Sequence, residues 1–172
     1  MKIFWSILVG LVITACAGVS YSFRGGTVPG ETFTVKTFGL GNNLTLVNPN
    51  LPIILQEVLQ QKFINESNLK YTDQNTDVNF IGTINSYTIT PVQGTGNATV
   101  TMNRLTISLE VLYTNNKDVK VPAEGKVIKV TSYDDFAASD DFSSKENELV
   151  ESISEKLVSL IYNQVLVDWG NE

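Results

Sequence analysis

The chain has no histidine. A His general base, a His-containing triad and a His metal site are therefore excluded. It has a single cysteine, Cys16, which rules out an internal disulfide framework and a Cys-rich zinc site. Positive charge is also scarce: 12 Lys and Arg stand against 18 Asp and Glu, a formal net charge of −6. Phosphate neutralisation on nucleic acid needs clustered Lys and Arg, so this balance argues against a nucleic-acid binder. Only 17% of residues are charged, below the roughly 25% usual for soluble domains. An enzyme built on Asp and Glu alone is not formally excluded, but the absences leave mainly binding, scaffolding or structural work.

The missing charge is replaced by 16 Asn and 17 Thr. Thr favours strands and Asn favours turns and caps, so the composition leans towards β-structure with well-marked turns. The 172 residues, 42% of them hydrophobic, suffice for one domain with its own core.

Lys2 is followed by an almost unbroken apolar run over residues 3–12, interrupted by Ser6 and Gly10. The run has signal-peptide length and falls short of the roughly 20 residues of a spanning helix. It ends in Ile13-Thr14-Ala15-Cys16, which resembles a bacterial lipobox: an aliphatic residue, two small ones, then the Cys that is acylated and becomes the new N-terminus. A conventional A-x-A cleavage site and a buried N-terminal strand with an incidental Cys are the rival readings. On the lipobox reading, residues 1–15 are a lipoprotein signal peptide, residues 16–31 a lipidated tether and residues 32–172 the domain. Loss of Lys2 leaves 11 basic against 18 acidic residues. Ala17 follows the Cys, with no Asp of the inner-membrane retention type, so a periplasm-facing lipid anchor on the outer membrane is expected.

Along the tether, Tyr21-Ser22-Phe23 places two aromatics that are expected to dock on something. Residues 33–38 read as a strand with Phe33, Val35 and Thr37 on one face. Asn48-Pro49 reads as an N-cap and first helical residue. Leu51, Leu55, Val58, Leu59 and Phe63 then form a helical stripe that ends near residues 65–68. Val78, Phe80, Gly82 and Ile84 share a strand face, while Tyr87 and Ile89 have the opposite parity, which predicts a bulge near Ser86. Residues 91–97 read as a loop. Leu105, Ile107, Leu109, Val111 and Tyr113 should point inward and Arg104, Thr106, Ser108 and Glu110 outward. A hairpin turn is expected at residues 114–118 and a return strand over residues 119–131, with Pro122 early in it. Residues 134–141 read as an acidic loop. Ser143 and Glu146 match a capping box opening a last helix, whose stripe is Leu149, Ile153, Leu157, Leu160, Ile161 and Val165, with Trp169 closing it. The order β-α-β-β-β-α predicts an α+β two-layer sandwich, two helices on one face of a four-stranded sheet.

No chemistry-bearing motif stands out. Asp134, Asp135, Asp140 and Asp141 lack EF-hand spacing and read as a solvated loop before a helix N-terminus. Gly94-Thr95-Gly96 and Arg24-Gly25-Gly26 are turns rather than phosphate loops. Asn43-Leu44-Thr45, Asn65-Glu66-Ser67 and Asn97-Ala98-Thr99 match glycosylation sequons by composition. Arg104, Lys117, Lys120, Lys126 and Lys129 make a local basic region, read either as a surface for an anionic partner or as edge-blocking lysines. No catalytic residue, metal site or cofactor is expected.

Tyr21-Ser22-Phe23, the stretch Phe80-Ile81-Gly82-Thr83-Ile84-Asn85-Ser86-Tyr87, and Asn103-Arg104-Leu105-Thr106-Ile107 together resemble the lipopolysaccharide-assembly lipoprotein family, LptE-like, over essentially the whole mature chain. The resemblance implies a non-enzymatic lipoprotein that plugs a large β-barrel translocon of LptD type, assists its folding and supports lipopolysaccharide delivery to the outer leaflet. It implies basic residues that meet lipopolysaccharide phosphates, for which Arg104, Lys117 and Lys120 are the positions on offer, against an acidic net charge. A glycan-binding surface lipoprotein, a lipid- or peptidoglycan-modifying enzyme and a generic structural envelope lipoprotein are the alternatives.

Overall fold

The computed structural model describes residues 28–42, 44, 47–93 and 101–167. Cys16, Tyr21-Ser22-Phe23, residues 94–97 of the loop expected over 91–97, and Trp169 lie outside the described residues; residues 91–93 are not loop but strand, because they continue an antiparallel ladder with residues 101–103. The elements are β1 (Thr32–Leu40), α1 (Leu51–Glu66), β2 (Lys70–Tyr71), β3 (Val78–Gln93), β4 (Thr101–Asn115), β5 (Lys126–Ala137) and α2 (Phe142–Val167). They build one sheet in the order β2-β1-β3-β4-β5. β1 runs parallel to β2 and β3, and β3, β4 and β5 are antiparallel. α1 packs on β1, α2 on β5, and the helices on each other. The two-layer α+β class stands, but the sheet has five strands rather than four. The added strand is only two residues long, too short to show an alternation. Burial of Leu69 after α1 brings the chain back beside β1, where Lys70 and Thr72 donate to the carbonyls of Glu31 and Phe33 at 2.8 and 2.9 Å.

α1 buries Leu51, Leu55, Leu59 and Phe63, four turns of one stripe, each contributing about 1.5–3 kcal/mol on burial. It starts later than Asn48-Pro49. Asn50 is the N-cap residue, Pro52 sits in the first turn, and Asn48 turns the chain ahead of the helix by accepting the Asn50 N–H at 2.9 Å. In β1, Phe33 and Val35 are buried, but Thr37 is exposed and Phe38 is buried instead. A register shift between Lys36 and Gly39 turns Phe38 inward. Its ring lies over Gly82 of β3, where a Cβ would meet ring carbons at 2.1 and 2.2 Å. Glycine there is a packing requirement.

The predicted bulge in β3 falls between Ile84 and Ser86. β4 alternates as expected, with Leu105, Ile107, Leu109, Val111 and Tyr113 all buried. The return strand differs from the expectation. β5 begins at Lys126 and runs to Ala137, after a ten-residue connection over residues 116–125. Gly125, at φ +90°, makes the last turn into it. Asp134 and Asp135 are therefore strand residues and not part of an acidic loop. The pairing with β4 wins because it continues the ladder to Met102↔Ala137 and buries Phe136.

α2 buries its predicted stripe except Leu160, and adds Val150, Val158 and Tyr162, giving a wider apolar face. It opens at Phe142 without the expected capping box. Glu146 accepts the Tyr87 hydroxyl at 2.6 Å, and the Ser144 N–H and hydroxyl go to the Asp141 carbonyl. Among the described residues, no helix is long and apolar enough to cross a membrane. Residues 28–31, read as the end of the tether, are part of the domain: Val28 is buried, and its N–H donates to Asn68 Oδ1 at 2.8 Å.

Candidate functional site

With both helices on one side, no described element covers the other face of the sheet. The ladders lay its side chains out in rows across β3, β4 and β5: Ile81–Leu112–Val127, Thr83–Glu110–Lys129, Ser86–Ser108–Thr131, Thr88–Thr106–Tyr133 and Thr90–Arg104–Asp135. Strand alternation puts them there, since their neighbours fill the core. The result is an open face dominated by hydroxyls, with an apolar row at one end and the Arg104–Asp135 pair at the other.

The charged end is a closed assembly. Arg104 donates from Nε to Asp135 Oδ1 at 2.7 Å and from Nη2 to Oδ2 at 2.8 Å. Its guanidinium lies 3.7 Å from the centre of the Tyr133 ring. The hydrogen bonds from Arg104 hold the Asp135 carboxyl below the usual range, and the same contacts raise Arg104. Burial pushes the neighbouring Asp134 up, but hydrogen bonds from Lys156 and Ser152, at 2.8 and 2.6 Å, outweigh it and leave it low. Further along, Lys129 pairs with Glu110 at 3.1 Å, and Ser108 and Thr131 share a hydrogen bond at 2.9 Å.

The three proposed lipopolysaccharide-contact residues do not converge. Arg104 sits at the start of β4, and Lys117 and Lys120 lie beyond its end. The eleven steps from Arg104 to Asn115 span about 37 Å at roughly 3.4 Å each. Lys117 has a long pair to Asp77 at 3.8 Å and its side chain is 61% exposed. Tyr133 and Asp135 join this surface through pairing with Thr106 and Arg104, and the run Ser132 to Phe136 carries no apolar alternation that would mark it as strand in the sequence.

A second concave region of about 610 Å³ opens between the layers, where Val47, Pro49, Ile89 and Phe142 surround the Tyr87–Glu146 hydrogen bond. Burial, helped by Glu146, raises the Tyr87 hydroxyl far above its ordinary value, so it stays a neutral donor.

The fold is that of a small two-layer α+β domain, and solved structures share it. A minor lipoprotein from Acinetobacter baumannii superposes with a TM-score of 0.50 at 12% identity, covering 80% of this chain and 94% of that one. A hypothetical protein from Chlamydia trachomatis gives 0.52 at 9%, covering 79% and 95%. A Xanthomonas campestris protein gives 0.53 at 8%, covering 83% and 87%. At these identities the likeness is one of fold. No curated protein matches the sequence. The family model for LptE, lipopolysaccharide assembly, matches residues 31–165, and the chain belongs to that family.

Proposed function

We propose that this chain is an outer-membrane lipoprotein, acylated at Cys16, that plugs and assists the assembly of a β-barrel lipopolysaccharide translocon of LptD type. Its role is non-enzymatic, in support of lipopolysaccharide delivery to the outer leaflet. The family match over residues 31–165 carries this reading. The bare sheet face supports it physically. A barrel lumen is polar, and an open array of Thr and Ser hydroxyls can exchange hydrogen bonds with such a wall without burying unpaired charge. The charges on that face are already neutralised in pairs, Arg104 with Asp135 and Lys129 with Glu110. The separation of Arg104 from Lys117 and Lys120 favours a plug over a phosphate clamp built from all three. The glycan-platform alternative loses its best aromatic, because Arg104 lies over the Tyr133 ring.

The test is gentle purification of the lipoprotein from outer membranes. A large β-barrel protein in stoichiometric amount is expected. Its release when Ser86, Thr106 and Ser108 are replaced by Glu would assign the contact to the sheet face. Recovery of the lipoprotein alone, or with carbohydrate-uptake proteins, would refute the reading.

A further inference from the structure

We infer that the connection between β4 and β5, residues 116–125, is a membrane-contacting tip that seats on the anionic phospholipid leaflet holding the anchor. The inference rests on the lipoprotein reading of Cys16 and adds an orientation to it.

Val119, at the tip of this connection, is fully exposed at 100%, an unusual place for a β-branched apolar side chain in a well-braced loop. The brace is specific. The backbone N–H of Asn116 donates to the Asp77 carbonyl at 2.9 Å, that of Lys117 to Asn115 Oδ1 at 2.9 Å and that of Lys120 to Asp118 Oδ1 at 2.9 Å. Asp118 is buried beneath the tip, its Oδ2 without a hydrogen-bond partner. In sequence the exposed Val119 lies between Lys117, whose ammonium is 3.8 Å from Asp77, and Lys120, whose ammonium has no carboxylate partner among the described residues. An exposed apolar side chain flanked in sequence by two lysines suits a phospholipid surface, where the methyls enter the headgroup zone and the ammoniums meet phosphates.

A second observation says which surface is near. The N-terminal segment leaves the domain at the root of this loop. Asn115 Nδ2 donates to the Pro29 carbonyl at 2.8 Å, and Asn68 holds Val28 from both sides. From Val28 back to Cys16 is twelve residues, a reach of about 40 Å at full extension. An anchor at Cys16 therefore tethers the domain by its loop end. The apolar row Ile81–Leu112–Val127 lies at the same end of the open face. The β3–β4 hairpin and the Arg104–Asp135 pair then point away from the leaflet.

The test uses the full lipidated protein, without a barrel, in vesicles of phosphatidylethanolamine and phosphatidylglycerol. A Val119→Cys variant and a Ser139→Cys variant, the latter at the opposite end of the sheet, each carry an environment-sensitive dye. Spin-labelled lipids should quench the 119 dye several-fold more than the 139 dye, and Lys117→Glu with Lys120→Glu should reduce the difference. Equal quenching, or stronger quenching at 139, overturns the inference while flotation of the protein keeps the anchor reading. An unacylated Cys16, seen by mass and by a second dye on the chain, overturns both.

Discussion

Replacing Gly82 by alanine should destabilise the domain through a single buried ring. The added methyl would sit 2.1–2.2 Å from carbons of Phe38, which is itself buried, so the ring must move. Overpacking of this kind costs about 1–3 kcal/mol. Removing the ring instead, in Phe38→Ala, opens a cavity and should cost about 3–5 kcal/mol. The two changes should not add. Once the ring is gone the alanine has room, and alanine in a strand interior is about 0.5–1 kcal/mol better than glycine. Gly82→Ala in the Phe38→Ala background should therefore be neutral or mildly stabilising. The coupling between the two sites comes to about 2 kcal/mol or more. Urea denaturation of the four proteins of this cycle, read as midpoints at constant m, measures it. Additive effects, or an unchanged midpoint for Gly82→Ala alone, would refute the claim that the β1 bulge seats Phe38 on the glycine.

Other expectations follow from the pairs and caps described. Arg104→Lys should lose the two-pronged contact and the stacking on Tyr133, yet cost no more than about 1 kcal/mol because the pair is solvent-facing; thermal melting checks this. Asp134 and Asp135 have lowered values in the fold, so their stabilisation is complete above about pH 4 and is lost as pH falls through those lowered values. A double Asp→Asn variant should show a flatter stability profile below that pH. Tyr87 has a raised value, so its contribution is complete below about pH 10 and fades above it; Tyr71 and Tyr162 are raised as well, so absorbance titration should find several tyrosines resisting ionisation, and Tyr87→Phe should lower their number by one. Asn68→Ala should leave the Val28 N–H and the Val28 and Gly30 carbonyls unpaired and cost about 1–3 kcal/mol, with faster hydrogen exchange at Val28.

Much of this protein is written in local patterns. The stripes of α1 and α2, the alternation in β4 and the parity change near Ser86 follow from apolar periodicity, because each depends on neighbours a few residues away. Helix starts are less legible: Asn50 rather than Asn48 takes the N-cap position of α1, without a side-chain capping bond, and Glu146 is drawn off to Tyr87, a partner 59 residues distant. The residues of the family resemblance, Phe80 to Tyr87 and Asn103 to Ile107, lie on the paired strands that carry the open face.

What only the tertiary structure decided is who meets whom. Asp135 is an acid in a run of acids until β5 pairs with β4 and sets it opposite Arg104. Phe38 breaks the strand alternation because a bulge finds space over Gly82. Lys117 and Lys120 are near Arg104 in sequence, but an extended strand holds them apart. Sequence alone determines periodicity, composition and the lipobox pattern, since these are properties of adjacent residues. Register, bulges and charge pairing are settled by contacts between segments far apart in the chain.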